Sequence, residues 1–394
     1  MSVFDVVPAA PRDPILGITE AFKVDPNPDK VNLGVGVYVG DDGKVAFFDS
    51  VRKAERALAE QANPRGYLPI SGMPSFIDSI RKLVFGPSDA LGRTATIQSL
   101  SGTGALKVGA DFIKKFIPAK VLISDPSWEN HRAIFTQAGL EVDTYRYYDR
   151  STQGLDAQGM LDDLEAAEPG TVVVLHACCH NPTGVDLSDE QWSEVAAVIG
   201  AKGLIPFIDM AYQGFSYSVL QDSAVVRAFS VIGVPVFVAT SCSKNFGLYG
   251  ERIGSLNVVT FCEEEAARVL SQLKVLARTN YSNPPTHGAA LVSAVLADDE
   301  LRISWEEELA GMRERIKTLR LEFAKTLTDA GYRADTSFIS NQVGMFSYTG
   351  LSREQMARLR EDHSVYGLDS GRICIPGLNQ RNMERVAKAF VAVQ

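Results

Sequence analysis

Short apolar runs recur along the chain, each followed by a longer stretch with helical spacing. The runs are Lys120–Ser124 (KVLIS), Thr171–Ala177 (TVVVLHA), Leu204–Asp209 (LIPFID), Pro235–Thr240 (PVFVAT) and Ile253–Val259 (IGSLNVV). They are rich in Val, Ile and Leu and apolar at nearly every position, which predicts strands covered on both faces. Between the second and third run lies a clear helical signature. Ser188 can cap it, Gln191 follows three later as in a capping box, Trp192, Val195, Ala196 and Ile199 make one stripe, and Gly203 stops it. Strand–helix–strand repetition predicts an α/β fold with a mostly parallel sheet between helices, where ligands sit beyond the carboxyl ends of the strands. From about residue 305 the texture changes. Ser304–Ala330 reads as a long charged helix, and Ser352–Leu359 opens with a second capping box, Ser352 with Gln355. The C-terminal part is expected to build a second domain, with the N-terminal stretch joining it.

Composition narrows the function classes. The 394 residues exceed the size at which a single core stops growing, about 250–300 residues, so two domains are expected. Lys plus Arg number 39 against 48 Asp plus Glu, a net charge of −9, which offers no basic field to a nucleic-acid backbone. The five cysteines, Cys178, Cys179, Cys242, Cys262 and Cys374, are odd in number and sparse, unlike a disulfide framework. No signal-peptide pattern opens the chain and no apolar run approaches the roughly 18 residues of a membrane span, so the expectation is a soluble cytoplasmic protein.

Four polar motifs follow apolar runs. Ser101-Gly-Thr-Gly-Ala105 enters a helical pattern, where small residues and a helix N-terminus suit a phosphate. The same stretch partly imitates a dinucleotide fingerprint, but Lys107 stands where its third glycine belongs, which leaves a nicotinamide dehydrogenase only as a remote alternative. His180-Asn-Pro-Thr-Gly184 makes a turn that can present Asn181 beyond a strand end. Its neighbours His176, Cys178 and Cys179 suggest a metal, yet in an extended strand His176 and His180 would lie about 13 Å apart, too far for one zinc. Buried core histidines and thiols are expected instead, and no metal. Asp209-Met-Ala-Tyr212 ends an apolar strand with an acid that is costly to bury unpaired. Ser241-Cys-Ser-Lys244 ends another, with Arg252 eight residues on, a setting that activates a lysine amine. Together the motifs ask for one ligand: a phosphate on Ser101–Thr103, Ser241 and Arg252, a carbonyl at Lys244, and a basic ring nitrogen facing Asp209. Pyridoxal 5′-phosphate has those three handles.

At these residues the sequence closely resembles the fold-type I, class I aminotransferases, in particular the bacterial aspartate and aromatic-amino-acid branches. The carriers run from Asp13-Pro-Ile-Leu16 through Asn32–Tyr38 (NLGVGVY), Gly66–Gly72, Ser101–Phe112, Ser124–His131, His176–Gly184, Ala211–Phe215, Ser241–Gly254, Arg278–Gly288 and Gly344–Tyr348 to Ser370–Asn379. The resemblance implies a large domain, 46–310, with a mostly parallel seven-stranded sheet covered by helices. A smaller α+β domain comes from both chain ends, 1–45 and 311–394. It implies Lys244 as the residue holding the cofactor as an internal aldimine and then moving the substrate proton, Asp209 on the ring nitrogen with His131 and His176 behind it, and Tyr212 with Asn181 on the ring hydroxyl oxygen. Trp128 would stack on the ring. Ser101, Gly102, Thr103, Ser241 and Arg252 would hold the phosphate, with Tyr67 reaching it from the partner of a homodimer. Arg372 would fork the substrate α-carboxylate, helped by Asn181 and the backbone of Gly36, and Arg278 would come from the partner to read a distal carboxylate.

The activity implied is amino transfer between L-aspartate, with aromatic L-amino acids also accepted, and 2-oxoglutarate, in two ping-pong half-reactions. Tyr67-Leu-Pro-Ile and Gly-Met-Phe-Ser-Tyr348 look more like the aromatic branch, and Ser-Lys244-Asn-Phe-Gly more like the aspartate branch. A primarily aromatic aminotransferase is therefore the alternative. A cofactor-dependent β-decarboxylase and a non-catalytic binding protein are the other rivals.

Overall fold

The computed structural model describes residues 2–10, 14–64 and 66–394, so Asp13, where the resemblance begins, lies outside the described residues. Seven strands form the central sheet: β1 Thr94–Leu100, β2 Val121–Asp125, β3 Val142–Arg146, β4 Val172–His176, β5 Ile205–Met210, β6 Val236–Ser241 and β7 Ile253–Val259. Their spatial order is β1-β7-β6-β5-β4-β2-β3. β7 alone runs backwards, antiparallel to both β1 and β6, and every other neighbouring pair is parallel.

Each apolar run serves two cores at once. In β4, Val172 and Val174 enter one buried cluster with Phe207, Phe237 and Leu256, while Val173 and Leu175 enter the other with Ile208 and Val238. Successive strand residues point to opposite faces, and helices cover both, so no position along the strand is left to water. This is the physical reason the runs are continuous rather than alternating.

The predicted strands are found within one residue at each end. Two strands of this sheet were missed. β1, TATIQSL, carries Thr94, Thr96, Gln98 and Ser99 buried, and β3, VDTYR, lies at the sheet edge with one buried residue, Tyr145. Both helix N-caps read from sequence are formed. The Ser188–Gln191 box opens a helix over Asp189–Lys202, closed by Gly203 at φ 65°. The Ser352–Gln355 box opens Arg353–His363, one turn longer than predicted. The long helix starts earlier than Ser304. It runs from Asp299 to Asp329, because Asp298 accepts a hydrogen bond from the Leu301 amide (2.9 Å) and so caps it.

The two chain ends meet. Val31–Asn32 pairs in parallel with Val365–Tyr366, and the Cys374 amide donates to the Leu33 carbonyl (2.7 Å). The segment after Val31 is thereby laid against the Arg372–Cys374 strand, beside the carboxyl ends of the sheet. Among the described residues no helix is long and apolar enough to cross a membrane.

Candidate active site

A cavity of about 250 Å³ opens at one edge of the sheet. The topology explains which residues reach it. β2, β4, β5 and β6 deliver Trp128, His176, Asp209 and Ser241 from their carboxyl ends, and β1 runs the same way into Ser101. β7 runs the other way, so its amino end arrives at the same edge and brings Arg252. The close approach there demands glycine: a Cβ on Gly254 would lie 2.2 Å from the Thr240 carbonyl oxygen and 2.7 Å from the Ser101 carbonyl carbon.

One end of the cavity is a hydroxyl cup. Ser101, at φ 62°, begins helix α1, Ser101–Phe116, so the helix N-terminus with Gly102 and Thr103 faces the cavity. The Ser101 hydroxyl lies 2.9 Å from that of Ser241 and 3.0 Å from that of Ser243. Arg252, itself exposed, closes the cup. Hydroxyls, amides at a helix start and a guanidinium converging on one point suit a dianion. Ser243 is a further member that sequence reasoning passed over. It lies in the turn just past the strand that ends at Ser241, so only its position in the Ser241-Cys-Ser-Lys244 motif could have marked it.

At mid-cavity stand Lys244 and Asp209. Burial pushes the Lys244 amine down to about 8, with the charges of Arg252 and Arg372 adding to the effect and Asp209 opposing it. Its Nζ lies 5.0 Å from the centre of the Tyr212 ring. Burial by itself would raise the Asp209 carboxyl, but the hydrogen bond from His131 and the positive field of Lys244 bring it below the ordinary carboxylate range. His131 Nε2 donates to Asp209 Oδ2 (3.0 Å), while Oδ1 is buried with no partner. An ionised carboxylate with one free oxygen aimed into a cavity calls for an N–H donor.

The histidines behind Asp209 have fixed tautomers. The Asn181 amide donates to His176 Nδ1 (3.0 Å), which leaves the proton on Nε2, 3.4 Å from His131 Nδ1. His131 Nδ1 also faces the Ser127 hydroxyl (2.9 Å), so its own proton sits on Nε2, toward Asp209. Burial, then the neighbouring His131, pushes His176 down to about 3, which keeps it neutral. His131, His176 and Asp209 have ligand atoms within 4.8 Å of one another. Both nitrogens of His131 are used in hydrogen bonds, so the trio serves to hold a charge on Asp209 rather than to offer lone pairs to a metal. The expected 13 Å between His176 and His180 is wrong. The chain turns at Cys179 (φ 52°) instead of continuing as a strand, and the two rings lie 4.2 Å apart with Tyr147 stacked beyond at 4.0 Å. His180, Cys178 and Cys179 are buried, as the core reading expected, while His176 is half-buried.

The far end of the cavity is built on Arg372, 2% exposed. Its Nη1 donates to Asn181 Oδ1 (3.0 Å), its Nη2 to the Gly34 carbonyl (3.1 Å), and its plane lies over Phe346 at 4.2 Å. Gly34 thus braces the guanidinium itself. Gly36 lines the cavity two residues on, its Cβ position 3.5 Å from Phe346. Nε of Arg372 is buried and unpartnered. A fixed guanidinium with free donors fits a carboxylate. Tyr212 is buried, which raises its phenol well above the ordinary value, and its ring meets Phe346 edge-on at 5.8 Å. Trp128 lines the wall, edge-on to His131.

Tyr67 and Arg278 are not brought to this cavity by their own chain. Tyr67 is 96% exposed, and Arg278 is exposed with Nη1 donating to the Ser282 hydroxyl (2.6 Å). The dinucleotide alternative also fails on topology. β1, which precedes the Gly102-x-Gly104 turn, is an edge strand whose one neighbour is antiparallel β7, whereas that motif needs a parallel switch point.

The hydroxyl cup, the amine and the unpartnered carboxylate oxygen fit the phosphate, carbonyl and ring nitrogen of the ligand inferred from sequence, and the guanidinium with free donors fits a carboxylate on a substrate bound beside it. Comparisons agree. The profile of the family described as aminotransferase class I and II matches residues 28–390. The aspartate aminotransferase of Pseudomonas aeruginosa is 51% identical over the full length of both chains. The aromatic-amino-acid aminotransferase of Escherichia coli is 47% identical, covering 99% of this chain and all of that one. A Burkholderia pseudomallei aromatic-amino-acid aminotransferase, solved covalently bound to pyridoxal phosphate, superposes with a TM-score of 0.97 at 56% identity over both full chains.

Proposed function

The chain belongs to the class I and II aminotransferases and is a transaminase, and on that footing we propose that it uses pyridoxal 5′-phosphate to exchange the amino group of L-aspartate, and of aromatic L-amino acids, with 2-oxoglutarate. The observation that carries this reading is a buried lysine amine and a carboxylate with one unpartnered oxygen in a single cavity, between a hydroxyl cup and a buried guanidinium. Bound there, the cofactor supplies a carbonyl that takes up the amino group and a ring that accepts the electron pair released when the substrate α-carbon loses its proton.

The chain's own residues do the rest. Ser101, Gly102, Thr103, Ser241, Ser243 and Arg252 bind the phosphate. Asp209, held ionised by His131, keeps the ring nitrogen protonated. Tyr212 and Asn181 face the ring hydroxyl oxygen, and Trp128 covers the ring. Lys244 Nζ anchors the cofactor and, once displaced by substrate, takes and returns the α-proton. A lowered amine pKa leaves a usable fraction of free base near neutral pH, and such groups contribute about 10²–10⁴-fold. Arg372 orients the α-carboxylate, with Asn181 and the Gly34–Gly36 backbone fixing its plane.

A homodimer completes the site in this reading. The accessible surface, 17943 Å², exceeds the roughly 15,000 Å² expected of a folded monomer of this size. Val3, Phe4, Val6 and Val7 are exposed together near the N-terminus. Tyr67 of the partner subunit would reach the phosphate, and Arg278 of the partner subunit the distal carboxylate. The proposed large domain is 46–310 and the small one 1–45 with 311–394. The Val31–Asn32 pairing with Val365–Tyr366 supports joining the two ends, and the helix Asp299–Asp329 spans both domains. A cytoplasmic location completes the proposal.

The test compares kcat/KM for aspartate, tyrosine and phenylalanine with 2-oxoglutarate, alongside Lys244→Ala. Turnover and the visible absorption of the loaded enzyme should vanish together in that variant. Unchanged turnover, or CO2 release from aspartate in place of amino transfer, would reject the proposal.

A further inference from the structure

Three cations stand on one face of the long helix Asp299–Asp329: Arg313, Lys317 and Arg320, spaced four and three apart. They line a second cavity of about 200 Å³, closed by the turn at Phe215–Tyr217 and the segment from Ser340 to Gly344. It shares no lining residue with the cavity at Lys244.

Arg320 is the unusual member. It is 2% exposed, and among the described residues it forms no ion pair. Its Nη groups donate to four carbonyls, Ile339 (3.1 Å), Val343 (3.3 Å), Gly344 (2.8 Å) and Phe346. Nε has no partner at all. Carbonyl dipoles satisfy hydrogen bonds but carry no net charge, and the acid whose charge reaches Arg320, Asp186, forms no ion pair with it and spends both carboxylate oxygens on the Cys179 and His180 amides. Burial accordingly pushes it down to about 10. A second unpartnered buried donor, the Ser216 hydroxyl, stands on the same cavity wall. Arg313 is largely buried too, its side chain 17% exposed with Nη1 on the Gly214 carbonyl (2.8 Å). The one acid lining the cavity, Glu314, is 65% exposed and 4.0 Å from Arg313 Nε. Three positive charges and two idle donors thus surround a space that a small ion can fill.

We propose that this cavity is a binding site for a small tetrahedral oxyanion of the sulfate or phosphate class, held by Arg313 and Lys317 and seated on Arg320 Nε and the Ser216 hydroxyl. The ion would tie the helix to the turn at 215–217. Because Arg320 already holds the carbonyls of Val343, Gly344 and Phe346, it would also stiffen the segment that carries Phe346 under Arg372. The inference needs no particular substrate, since binding is read without turnover.

Cofactor-loaded enzyme, whose phosphate cup is filled, is titrated with sodium sulfate in the low millimolar range against sodium chloride at equal ionic strength. A saturable rise in the thermal midpoint is expected with sulfate alone, with slowed amide exchange at residues 343–346. Crystals soaked in selenate should show anomalous density between Arg313 and Arg320. Lys317→Met and Arg313→Met together should weaken sulfate binding at least tenfold, with kcat/KM in anion-free buffer changed less than twofold. Should the double variant not fold, Lys317→Glu, at an exposed position, is the substitute and should weaken binding several-fold. A response that does not saturate, that chloride reproduces, or that survives in the folded variant would overturn the proposal, as would selenate confined to Arg372.

Discussion

Arg372→Lys separates what a charge does in this site from what a planar fork does. Arg372 spends one N–H on Asn181 Oδ1 and one on the Gly34 carbonyl, and it keeps Nε free together with the second hydrogens of both Nη groups. Two of those free donors suffice for a two-pronged carboxylate contact. Lysine keeps the positive charge but has three N–H groups in a cone. If two go to Asn181 and Gly34, one is left for the substrate. The loss is then one charge-assisted hydrogen bond, about 1.5–3 kcal/mol, or roughly 10- to 150-fold in kcat/KM. If the amine turns to the substrate instead, Asn181 Oδ1 or the Gly34 carbonyl is left buried without a donor, at about 1–3 kcal/mol each, and the loss moves into stability. Steady-state kinetics with aspartate and with tyrosine, paired with thermal unfolding, reads both. The α-carboxylate is common to the two amino acids, so the fall should be the same for each within about twofold. A fall confined to aspartate would mean that Arg372 reads the side chain, and a fall below about threefold in both, with an unchanged melting point, would refute the two-pronged assignment.

Further outcomes follow from the same geometry. Arg278→Leu should cost aspartate about 10- to 150-fold in kcat/KM and phenylalanine far less; equal losses would remove its proposed role. In cofactor-free protein Lys244 titrates near 8 rather than 10.5, so between those values the unfolded chain binds the extra proton and stability climbs with pH. Four buried thiols with raised pKa values cost stability over the upper part of that range, so the readout is the difference: from pH 7.5 to 10 the urea midpoint of the parent should gain on that of Lys244→Met, and parallel curves would contradict the buried-amine account. Trp305 is fully buried, stacked on Phe246 at 4.5 Å, with Nε1 donating to the Asn245 carbonyl. Trp305→Ala should cost about 3–5 kcal/mol of stability, measured by denaturant unfolding, and loosen the loop that carries Lys244. Ser352→Ala removes one capping box at about 1 kcal/mol and should leave kcat/KM unchanged.

Local chemistry made much of this protein legible in one dimension. Strands buried on both faces favour apolar residues at nearly every position, so five of the seven sheet strands announce themselves. Capping boxes at Ser188 and Ser352 act within three residues and need nothing distant. Polar motifs at strand ends point to the ligand edge because a parallel sheet delivers its carboxyl ends together, which is why Asp209, Lys244 and Ser101 could be named at once. Other features needed the chain to close on itself. β1 hides Gln98 and Ser99 because tertiary neighbours satisfy them, and β3 is an edge strand with little to bury, so neither carries an apolar signature. Arg252 reaches the cup only because β7 is reversed. The His176–His180 contact depends on a turn that strand spacing cannot foresee. Ser243, Gly34 and Phe346 enter the site through partners tens to hundreds of residues away, and Arg320 is held by carbonyls 19 to 26 residues on. Hydrogen bonds and burial are short-range in space but not in sequence, so the pattern of residues determined the elements and their chemistry, and only the folded chain decided which of those groups meet.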